Sequence, residues 1–84
     1  MTEKVIKLKY PPKEDLKEIR LRRPKVRDLK EVFSLKGLDD FDKDLLLVEK
    51  LSGIPKALLE ELDVEDWAQV QKVLAEMMGN SATR

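Results

Sequence analysis

The chain has 84 residues, 42% apolar and 40% charged, with 17 basic side chains, 17 acidic ones, no cysteine and no histidine. A chain this short buries only roughly 60% of its unfolded surface, which allows one small domain at most. The missing residue types exclude disulfides, thiolate nucleophiles, imidazole bases and the usual zinc ligand sets, so apolar packing must hold the fold together.

The apolar share is too high for a disordered chain. The longest uninterrupted apolar run, Leu45 to Val48, falls far short of the roughly 20 residues that span a bilayer. The first residues lack the apolar stretch and small-residue cleavage site of a signal peptide, so no membrane contact and a cytosolic location are expected. Charge is uneven along the chain. Residues 1–36 hold 12 basic and 6 acidic side chains, residues 37–84 hold 5 and 11, and the net +6 and −6 cancel. Such asymmetry suits a basic partner-binding face, or attraction between the halves or between copies.

From Lys4 to Tyr10 the apolar Ile6, Leu8 and Tyr10 alternate with Lys7 and Lys9, the period of a half-buried strand. Pro11-Pro12 stops it, because proline lacks the ladder donor. Ile19 and Leu21 then alternate with Glu18, Arg20 and Arg22, which predicts a returning antiparallel strand. Pro24 ends that strand. Val26, Leu29, Val32 and Phe33 have the spacing of one helical face and predict a helix over about 25–36, stopped by Gly37. Asp39 and Asp40 offer caps for a second helix with Phe41, Leu45, Val48 and Leu51 on its face, ended by Gly53. Pro55 opens a short third helix through Leu58, Leu59 and Leu62. Asp63 caps a fourth helix carrying Trp67, Val70, Val73, Leu74, Met77 and Met78, with Asp63 and Asp66 at the spacing of an imperfect capping box. Gly79-Asn80 closes that helix. The fold class that follows is α+β: an N-terminal β-hairpin packed against about four short helices, a single domain over 1–80 with a disordered polar tail over 81–84.

Candidate chemistry is sparse. Asp40, Asp42 and Asp44 mimic the start of an EF-hand loop, but the sixth position is Leu45 instead of glycine and the twelfth is Leu51 instead of a bidentate glutamate. Acids at a helix start complement its dipole, so no metal is assigned. No glycine-rich phosphate loop, nucleophile motif or poised acid/base pair occurs, and neither a cofactor nor catalysis is expected. Arg20, Arg22, Arg23, Lys25 and Arg27 form the densest basic cluster, a candidate phosphate-contacting surface without interleaved aromatics. Trp67 and Leu74 are read as core. Met77 and Met78 are left open between core and an exposed groove for a partner helix.

The order of segments adds a resemblance. An N-terminal strand is followed by Leu21-Arg22-Arg23-Pro24 leading into Val26-Arg27-Asp28-Leu29, then Leu51-Ser52-Gly53-Ile54-Pro55, then Leu62-Asp63-Val64-Glu65-Asp66. From about Val5 to Met78 the chain resembles the tail assembly chaperones of Mu-like and related contractile-tailed phages and prophages. It departs from that pattern at Lys25, where a small hydroxyl cap is more usual, and at Trp67, where a smaller apolar residue is common. The resemblance implies a non-catalytic protein of the host bacterial cytoplasm, absent from the mature virion. It would bind and solubilise the tape measure protein and give way when tail tube protein polymerises. A longer product made by frameshifting also belongs to the implied pattern. Leu74, Met77 and Met78 are the expected client contacts. Self-association, through an unpaired hairpin edge for instance, stays open. The alternative is a small nucleic-acid-binding or regulatory protein using Arg20, Arg22, Arg23 and Arg27. A third reading is a tail-completion or connector protein that stays in the virion.

Overall fold

The computed structural model describes residues 3–79. Two strands and four helices follow in chain order: β1 (Lys4–Lys7), β2 (Glu18–Leu21), α1 (Val26–Phe33), α2 (Asp40–Ser52), α3 (Lys56–Leu59) and α4 (Val64–Met77). The architecture is α+β, an N-terminal antiparallel hairpin packed against four helices. The expected closure at Asn80 and the polar tail lie outside the described residues.

The hairpin register pairs Ile6 with Ile19 and Lys4 with Leu21, so the alternation of both strands puts Ile6, Leu8, Ile19 and Leu21 on one buried face. Tyr10 departs from that expectation and is exposed. The ladder stops at Lys7; the Leu8 N–H still reaches the Lys17 carbonyl at 3.0 Å, but the next two amides turn to a side chain of α4.

Helix α1 is shorter than its expected span. After Phe33 the Leu35 N–H falls back to the Val32 carbonyl at 3.2 Å, a tightened final turn. Val32 is buried and Leu29 half-buried, whereas Val26 and Phe33 are exposed, because an eight-residue helix turns only part of its apolar arc to the core. Lys25, which has no acceptor to cap the helix, donates its own N–H to Asp28 Oδ2 at 2.8 Å.

Helix α2 begins at Asp39, whose Oδ1 accepts the Asp42 N–H at 2.9 Å, and ends at Gly53, held at φ 79° with its N–H on the Glu49 carbonyl at 2.8 Å. It packs against β2, α1 and α3 at once. Its buried arc is therefore wider than one stripe: Leu45, Val48 and Leu51 are joined by Leu47, while Phe41 at the first turn is exposed. The Arg22 N–H donates to the Leu51 carbonyl at 3.1 Å and ties the end of β2 to the last turn of α2. Helix α4 starts at Asp63, whose Oδ1 accepts the Glu65 N–H at 2.8 Å, and buries Val70, Leu74 and Met77 against the hairpin side of the core.

Candidate protein-docking site

The residues expected to meet a partner sit in different environments. Leu74 is 1% and Met77 6% exposed, both inside the core, and Met78 is half-buried against it. Leu74 is read from the sequence as core, and Met77 and Met78, left open there between core and groove, pack on the core side here. The period that sets Leu74 and Met77 on one face of α4 points that face inward, leaving only part of Met78 within reach of a partner.

The arginines are divided as well. Arg20 Nε donates to Glu18 Oε2 at 3.0 Å, and the Arg22 guanidinium grips Asp28 with Nη1–Oδ2 at 2.9 Å and Nη2–Oδ1 at 3.1 Å. That fork, with the Lys25 amide, holds the buried Asp28 carboxyl well below the usual carboxylate range, and Asp28 in turn raises Arg22. Arg23 and Arg27 are exposed and make no ion pair among the described residues. Among the described residues no three carboxylates come together as a metal-holding group, Asp40, Asp42 and Asp44 included.

An open groove forms instead where the starts of α2 and α4 meet α3. The Asp39 cap fixes the first turn of α2 and thereby the position of Phe41; the Asp63 cap does the same for Val64 and Trp67 on α4. The Phe41 and Trp67 rings stack with centroids 5.9 Å apart and planes 21° from parallel. With Leu45, Leu59, Leu62 and Val64 they line a cavity of about 220 Å³, and Asp42 and Glu60 supply its carboxylates. Lys56 Nζ lies 3.4 Å from Asp42 Oδ1 and braces α3 against α2. The cavity is smaller than the roughly 300–1,000 Å³ typical of small-molecule sites. Phe41 is 59% and Val64 81% exposed, so the apolar wall faces solvent.

A second, more polar cavity of about 390 Å³ lies beside β1, lined by Lys7, Lys9, Glu65, Asp66, Ala68 and Gln69. Asp66 is its one buried lining residue. At 2% exposure, its two carboxylate oxygens accept the Lys9 and Tyr10 N–H groups, each at 2.9 Å. Lys9 Nζ donates to Glu65 Oε2 at 2.8 Å, which raises the lysine's pKa. Asp66 reads in the sequence as a first-turn acid that complements the helix dipole; its buried role needs a partner 56 residues away and leaves no local signal. Phe41 reads as core because periodicity does not show how far along a helix the core extends.

The family described as phage tail assembly chaperone proteins, E, or 41 or 14, matches residues 5–79. No curated protein and no solved structure matches the chain significantly. Among the described residues no helix is long and apolar enough to cross a membrane. With a match that runs from the first strand to the end of the last helix, the chain belongs to the family of phage tail assembly chaperones.

Proposed function

We propose that this protein binds the tape measure protein in the host cytoplasm, keeps its apolar helical stretches from aggregating, and leaves when tail tube protein polymerises around it. The observation that carries the reading is a pair of large apolar side chains, Phe41 and Val64, held open to solvent on one groove of a chain belonging to a chaperone family. Isolated exposed apolar residues are ordinary, but a walled set on three helix ends suits a protein client. The role needs no catalysis and no cofactor. The 40% of charged residues keeps a client coated with this chain in solution. Displacement requires modest affinity per copy, and many copies along one client make up for it by avidity.

The test is co-expression with the tape measure protein of the same genome, followed by affinity pull-down and a comparison of soluble client with and without the chaperone. Rescue together with co-purification is the expected result. Failure of both with each protein well expressed overturns the reading.

A further inference from the structure

We infer that the groove between α2, α3 and α4 takes an amphipathic helix whose apolar stripe is bordered by lysine or arginine. The inference rests on the client-binding reading above and names the chemistry of what is bound. Three observations lead to it. The walls come from three helices and the turn between α3 and α4, so no strand edge borders the groove, and an added strand would find no backbone ladder there. A helix satisfies its own backbone and can present apolar anchors spaced by one turn. The apolar wall, Phe41, Val64 and Trp67, is open enough to receive such anchors, over a floor of the buried Leu45 and Leu59.

Charge then selects the helix. Asp42 and Glu60 line the groove, and Asp40 and Asp63, the chain neighbours of Phe41 and Val64, are exposed. Lys56 offsets only Asp42. A helix with acidic borders would bring like charges together, whereas one with basic borders is attracted, steered and held in register. The inference also gives the acidic half of the chain a use that composition alone does not reveal.

Trp67 is the only tryptophan in the sequence and forms one wall of the groove, so its emission reports occupancy without a label. The purified full chain is titrated with two synthetic amphipathic helices that share one leucine stripe, bordered by lysines in one peptide and by glutamates in the other. The lysine-bordered peptide is expected to shift Trp67 emission and to bind about tenfold tighter, with the preference shrinking as salt rises. Val64→Ser is expected to weaken both peptides, and Glu60→Lys to erase the preference, with native circular dichroism in each variant. Equal affinities for the two peptides, or binding untouched by Val64→Ser, overturn the proposal. So does concentration-dependent self-association abolished by Val64→Ser, which would make a second copy the occupant. The same variants in the co-expression assay separate the two readings. A client solubilised equally by wild type and Val64→Ser removes the groove but keeps the chaperone role. A client not solubilised by the wild type removes the client reading, while peptide discrimination still stands for the groove.

Discussion

Asp66 Oδ2 accepts the backbone N–H of Tyr10 at 2.9 Å across 56 residues of chain, and its Oδ1 accepts the neighbouring Lys9 N–H. This carboxylate joins the end of the first strand to the first turn of the last helix, where a sheet ladder would otherwise continue. Asp66→Ala leaves two amides without their charged acceptor and should cost about 2 kcal/mol in chemical denaturation. Amide hydrogen exchange localises the effect: Lys9 and Tyr10 exchange faster in the variant while Leu47 and Val48, in the core, follow global stability. Unchanged exchange at Lys9 and Tyr10 would rule out the latch.

The Arg22–Asp28 pair makes stability depend on pH in acid. Asp28 is ionised far more readily folded than unfolded, chiefly through its hydrogen bonds with Arg22 and then with the Lys25 amide. A depressed carboxylate contributes stability that is fully present above the unfolded value of about 3.9 and is lost as pH falls toward the lower folded value. Wild type should therefore exceed Asp28→Asn by about 1–2 kcal/mol at pH 7 (the partial exposure of Arg22 limits the gain). The gap should close progressively below about pH 4. Denaturation midpoints of both proteins across that range test it, and a gap independent of pH would mean that packing, not charge, accounts for Asp28.

Much of this fold is legible in the sequence because its signals are local. Asp39, Gly53 and Asp63 stand at helix ends as capping chemistry requires, and the two-residue period of Ile19 and Leu21 marks a half-buried strand. Leu47 escapes a one-face reading because α2 is enclosed on three sides, a fact of tertiary packing. Met77 points inward where an open position at the helix end is also compatible with its spacing. The groove is the least legible feature, since Phe41, Leu59 and Trp67 come from three elements and meet only once the helices are in place.

Gly53 ends α2 in the left-handed region at φ 79°, with no atom within 4 Å of where a Cβ would stand. Gly53→Ala therefore introduces backbone strain and no clash, a cost of about 1 kcal/mol. Thermal melting should fall by about 4–8 °C. Gly53→Asn, which tolerates this conformation better, should fall less. Equal losses for alanine and asparagine would point away from the backbone conformation as the cause.

Stability and client binding should separate between α4's inner face and the groove. Leu74→Ala removes a buried side chain and should cost about 2–4 kcal/mol, and Met77→Asp places an unpaired charge in the core and should abolish the native circular dichroism signal. Phe41→Ala loses an exposed ring and its stack on Trp67, about 1 kcal/mol, and Val64→Ser, 81% exposed, changes stability by less than about 0.5 kcal/mol. Denaturation midpoints and the amount of soluble client, measured on the same four variants, place each on two axes. The groove variants should lose client with little loss of stability. Leu74→Ala should lose client only as far as it loses folded protein, so a temperature low enough to restore its folding should restore its client binding. Client binding lost in Leu74→Ala while the fold is intact would return the docking surface to the last turns of α4.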